Sequence, residues 1–156
     1  VGLNLVLALA GAPCCTKYGQ VSNLNLYSSM RTQDNLKSGV SSFYAELSRI
    51  EKMLKLIESS QNIYFLLDEM FKGTNSEDRH KGGFSLINQM SKLNTSGIIA
   101  THDVSLCELE NEVLDIENYY FDAEILEDEL HFDYTLKNGI CKNMNASFLL
   151  KKMEIV

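Results

Sequence analysis

The chain has 156 residues, 45% hydrophobic and 22% charged, ordinary proportions for a globular domain long enough to bury one core. Its formal net charge is −7 and its pI about 4.9, which argues against a surface built to grip phosphate backbones, since that demands clustered Lys and Arg. Residues 5–10 are the only membrane-like run, far too short to span a bilayer, and no basic n-region of a secretory signal precedes them. Adjacent Cys14 and Cys15, with distant Cys107 and Cys141, suit neither a disulfide framework nor a zinc site. Reduced cysteines in a cytoplasmic protein are the expectation.

The chain opens on Val1 without a Met, inside an apolar stretch, and reads as part of a longer protein continuing on its N-terminal side. Residues 1–11 predict a helix closed by Gly11-Ala12-Pro13, because Gly and Pro punctuate helix ends. Residues 18–30 carry β-favouring positions at Val21, Leu24, Leu26 and Tyr27 and predict a strand or a pair of short ones. Phe43, Leu47, Ile50, Leu54 and Ile57 recur at helical spacing within 38–57, with Ser38 or Ser41 as the cap. The continuous apolar run Ile63-Tyr64-Phe65-Leu66-Leu67 predicts a strand buried on both faces of a parallel sheet, and it ends abruptly in Asp68-Glu69.

After a polar loop through Thr74-Asn75-Ser76, Phe84, Ile87 and Met90 mark a helix over roughly 76–93. Residues 97–101 predict a second short buried strand ending at His102-Asp103, and the strand–helix–strand order fits a right-handed βαβ unit. Stretches 113–125 and 130–136, separated by Glu127-Asp128-Glu129, predict an antiparallel hairpin. Residues 145–153 predict a closing helix capped by Asn145. With no repeats, low-complexity tracts or linkers, residues 1–156 read as one α/β domain or most of one.

Three constellations are candidates for chemistry. Strand-end acids often cap helices or form turns, but Asp68-Glu69 closes a buried strand and precedes a polar Gly73-Thr74 loop, where ligand crevices of open α/β sheets lie. One acid there can hold Mg²⁺ and its neighbour can orient a nucleophilic water. Ser38-Gly39-Val40-Ser41-Ser42-Phe43 is either a Ser-rich helix cap or an anion site of backbone N–H groups and hydroxyls. Thr101-His102 follows a strand directly, within reach of a phosphate or an attacking water, whereas His80 and His131 have no such context. No GxxxxGK[ST] loop, serine-hydrolase elbow or HExxH helix occurs in the chain.

The order of these motifs resembles the MutS family of DNA mismatch-repair ATPases, of the ABC-type class. The residues that carry the resemblance are 34–43 (Asp-Asn-Leu-Lys-Ser-Gly-Val-Ser-Ser-Phe), 66–75 (Leu-Leu-Asp-Glu-Met-Phe-Lys-Gly-Thr-Asn) and 99–102 (Ile-Ala-Thr-His). It covers roughly residues 1–150 and implies a P-loop NTPase core, a mostly parallel sheet flanked by helices, with a C-terminal hairpin and helix. It also implies ATP and Mg²⁺ as cofactors, a homodimer through the ATPase domain, and DNA bound by other domains.

Carried over position by position, Asp68 acts on Mg²⁺, Glu69 is the general base or water-orienting acid, and His102 is the switch histidine. Ser38, Gly39 and Ser41 touch ATP on the partner subunit, and Gly73, Thr74 and Asn75 lie in the loop that communicates across the dimer. The Walker A loop is expected just before Val1, so residues 1–156 alone are expected to be inactive. Phe71-Lys72 stand where many members have Gly-Arg, and Asp103 where an aromatic is frequent; the tail, Asn138-Gly139-Ile140-Cys141 followed by Asn145-Ala146-Ser147, resembles the closing segment of a divergent bacterial MutS-like branch. The alternatives are another ABC-type ATPase, such as a chromosome-maintenance or transporter subunit, and a non-catalytic dimerisation module of the same fold.

Overall fold

Helix α1 (Gly2–Leu9) leads through strand β1 (Asn25–Ser29) and helix α2 (Ser42–Glu58) to strand β2 (Ile63–Asp68), helix α3 (Ser76–Met90) and strand β3 (Ser96–Ala100). The structure is a computed structural model describing residues 1–30, 42–59, 62–126, 129–141 and 150–155. The chain divides into two compact units, Val1–Leu106 and Cys107–Val156.

In the first unit the strands run parallel in the order β1-β2-β3, with Tyr27 opposite Phe65 and Leu66 opposite Ile98. Parallel neighbours need a long crossover, and α2 and α3 supply it. Side chains alternate along β2, so Ile63, Phe65 and Leu67 share one face and meet Ile50, Met53 and Ile57 of α2 and Leu86 and Met90 of α3. Leu66 points the other way, where Gly2 of α1 comes so close that a Cβ there would stand 2.4 Å from Leu66 Cδ1. The expected burial of β2 on both faces is therefore observed, and burial of each such side chain contributes about 1.5–3 kcal/mol.

Helix α1 ends as its sequence predicts. Gly11 takes a φ of 72°, Gly11 N–H donates to Ala8 O at 3.0 Å and Ala12 N–H to Leu7 O at 2.8 Å, the paired bonds of a Schellman stop. Two expectations for this unit need correction. Only residues 25–29 of the 18–30 stretch form a strand, because the ladder with β2 starts where Asn25 N–H donates to Asn62 O at 2.7 Å. Strand β3 is not buried: Ser96, Gly97, Ile98 and Ala100 are exposed and Ile99 is half-buried. It has a strand neighbour on one side among the described residues, so an apolar sequence that suits a central strand sits at an edge.

In the second unit, helix α4 (Leu109–Glu112) precedes strands β4 (Tyr119–Leu126) and β5 (Glu129–Asn138), which pair as the expected antiparallel hairpin. The first strand begins at Tyr119, not at 113, because Asp115 takes a φ of 67° that extended backbone cannot contain. The register shifts between Phe121 and Ala123, opposite Tyr134 with its φ of 52°, and Lys137 Nζ lies 3.5 Å from Asp122 and 3.3 Å from Asp133 beside that bulge. Of the closing helix, residues 150–152 are helical, while Asn145 lies outside the described residues. Among the described residues no helix is long and apolar enough to cross a membrane.

Candidate active site at the ends of β2 and β3

Glu69 N–H donates to Ala100 O at 2.8 Å, which extends the β2–β3 ladder one residue past Asp68. The chain then leaves the sheet through an unusual turn. Glu69 has a φ of 47° and Phe71 a φ of 61°, left-handed positions that cost a side-chain-bearing residue about 1–3 kcal/mol each. Packing and hydrogen bonds around the turn hold it there. Met70 and Phe71 are buried, Phe71 N–H donates to the Glu46 carboxylate of α2 at 2.5 Å, and the Phe71 ring meets Phe43 edge-on at 6.4 Å. Gly73 lies so close to α2 that a Cβ would stand 2.7 Å from Phe43 Cβ.

The turn carries the Glu69 side chain toward β3. Its Oε1 lies 2.8 Å from His102 Nε2, and its other oxygen pairs with Lys72 Nζ. A contact at that distance makes a hydrogen bond when the ring proton sits on Nε2. The Glu69 side chain is 26% exposed and that of His102 is 92% exposed, so the pair joins a sheltered carboxylate to an open imidazole. Asp68 beside it is exposed. Among the described residues no group of three His, Cys, Asp or Glu could hold a metal ion by itself. One exposed carboxylate nonetheless fits Mg²⁺, which takes one or two carboxylates and fills its other positions with water and phosphate oxygens.

Beyond β3 a second cluster fixes the loop that bears His102. Asp103 N–H donates to Thr101 Oγ1 at 3.0 Å, and Asp103 Oδ1 accepts from Ser105 N–H at 3.1 Å and from the Ser105 hydroxyl. Ser105 Oγ lies 2.8 Å from His80 Nδ1, and Asp103 Oδ2 lies 3.5 Å from the same nitrogen. The hydroxyl bond from Ser105, aided by its backbone N–H and by His80, holds the Asp103 carboxyl below its ordinary pKa. Glu69, Lys72, Arg79, His80, His102 and Asp103 all line one cavity of about 440 Å³.

Of the residues predicted from sequence, Glu69 and His102 thus meet at adjacent strand ends, with exposed Asp68 preceding Glu69 at the end of β2. Thr74 follows the strained turn, with its N–H 3.4 Å from Phe71 O. Asn75 caps α3: its Oδ1 accepts from Asp78 N–H at 2.9 Å while its amide donates to Asp78 Oδ2 at 2.7 Å. Ser38, Gly39 and Ser41 lie outside the described residues. Two participants were missed. His80 was given no role, and nothing near it in sequence ties it to Asp103. Glu46 was given no role, and its partner Phe71 lies 25 positions away in sequence.

A parallel α/β sheet whose neighbouring strands lead into Glu69 and His102, which line one cavity, has its cavity where open α/β proteins carry their ligand crevice. The family is more particular. Residues 1–153 match the family model MutS domain V, and the chain belongs to the MutS family. It is similar to the DNA mismatch repair protein MutS of Aquifex pyrophilus, 27% identical over 91% of this chain and 17% of that protein. It is also similar to the DNA mismatch repair protein MSH4 of Arabidopsis thaliana, 25% identical over 98% of this chain and 19% of that protein. MutS protein homolog 4 of Mus musculus is 22% identical over 77% of this chain and 13% of its own length. The chain therefore spans less than one fifth of the length of these curated relatives.

Proposed function

We propose that residues 1–156 are the C-terminal part of the ATPase domain of a MutS-like protein, a P-loop NTPase of ABC type, whose parent hydrolyses ATP while its other domains bind DNA. The observation that carries this reading is the 2.8 Å contact between Glu69 and His102 at the ends of adjacent parallel strands, next to exposed Asp68, in a chain of this family.

Glu69 orients a water and takes up its proton, a role for which one carboxylate oxygen must be held while lone pairs remain for the water. His102 holds Oε1, and its exposed ring can follow the γ-phosphate as that group departs. Lys72 holds the second oxygen against rotation. Asp68 would hold Mg²⁺, directly or through water, and the ion when bound offsets charge on the phosphates. Ser38, Gly39 and Ser41 would meet ATP bound to a partner copy in a homodimer, and Thr74 and Asn75 would stand at the dimer contact. A site closed by a second chain lets nucleotide drive movement of other domains.

Glu69→Ala in the full-length protein is expected to abolish hydrolysis while ATP binding persists, because the acid acts on the water and not on the nucleotide. Normal turnover in that variant would remove Glu69 from the mechanism; an ATPase-free parent would favour a non-catalytic dimerisation module. The phosphate cradle GxxxxGK[ST] is absent from these 156 residues, so the isolated chain is expected to show no tight ATP binding by calorimetry. A micromolar dissociation constant would mean that nucleotide affinity resides elsewhere than in that loop.

A further inference from the structure

We propose that Glu46 is a positioning residue of the hydrolytic site, holding the turn that aims Glu69 at His102 and tying that acid to the start of helix α2. The inference deepens the ATPase reading above and rests on it. The left-handed φ values of 47° at Glu69 and 61° at Phe71 direct the Phe71 amide at α2, where the Glu46 carboxylate accepts its hydrogen across 25 positions of sequence. A part-buried N–H deprived of its acceptor is costly, so loss of this carboxylate removes one of the groups that hold a strained backbone.

The same turn meets α2 at two further points. The Phe43 ring packs edge-on against Phe71, and Phe43 leaves no room for a side chain at Gly73. Phe43 and Glu46 are three residues apart on a helix, so they lie on one face and act as one rigid contact.

The test uses the full-length protein and two substitutions. Glu46→Ala is expected to lower kcat for ATP roughly tenfold or more while KM stays within about twofold, the signature of a misplaced catalytic group and not of lost binding. Glu46→Gln keeps an oxygen acceptor and is expected to retain most of the rate. Hydrogen exchange read by mass spectrometry should rise in peptides covering residues 69–73 of Glu46→Ala and stay unchanged in peptides from β2 and from residues 80–90. An unchanged kcat in Glu46→Ala, an equal loss in Glu46→Gln, or exchange that rises throughout the domain would each overturn the proposal. A parent without Glu69-dependent hydrolysis would instead remove the ATPase reading, and the exchange measurement alone would then decide whether Glu46 holds the turn.

Discussion

Strand β2 buries Ile63, Phe65, Leu66 and Leu67 between helices, whereas the β4–β5 ribbon leaves Phe121, Phe132, Tyr134 and Leu136 exposed. The two regions use similar residue types. What separates them is layering: β2 has a strand on each side and helices over both faces, while a two-stranded ribbon has neither and is marginally stable alone. The difference explains where chemistry can reside. Glu69 projects from the end of a buried strand and tolerates a strained turn, because the surrounding core over-determines its position. The ribbon, with a bulge opposite Asp122 and few buried side chains, gives no comparable anchor.

Substitutions should resolve this contrast by size. Met53→Ala, at a fully buried position beneath β2, is expected to cost about 2–5 kcal/mol in denaturation of the intact protein. Asn75→Ala removes the α3 cap next to the site and is expected to cost about 1 kcal/mol. Phe121→Ala takes away a cross-strand partner of Leu136 and should cost no more than about 1 kcal/mol. A Phe121→Ala loss as large as that of Met53→Ala would break the comparison, and would mean that the ribbon is covered in the parent protein.

Helices α1, α2 and α3 and strand β2 were legible in the sequence because their signals are local: helical spacing at Phe43, Ile50 and Ile57, and an unbroken apolar run into Asp68-Glu69, whereas the short α4 carries no such spacing. The edge position of β3 was not, since Gly97-Ile98-Ile99 carries the same apolar signature whether a neighbour covers it or not. Nor could the turn at Glu69 and Phe71 be read, because left-handed backbone is ordinarily signalled by glycine and neither residue is one. Glu46 and His80 were invisible for a third reason: each finds its partner 25 positions away, and only the fold brings those partners together. The family resemblance, and not spacing, gave Asp68, Glu69 and His102 their separate roles.

Glu69 and His102, in contact at 2.8 Å, are proposed to act as one unit on ATP hydrolysis. A double-mutant cycle tests it most directly, with single-turnover hydrolysis measured in full-length protein carrying Glu69→Gln, His102→Ala or both. Residues that work together lose their effect together. The double variant is expected to hydrolyse ATP no more slowly than Glu69→Gln alone. Losses that multiply, each substitution slowing the other's residual rate by its full factor, would show that the two side chains act independently and would contradict it.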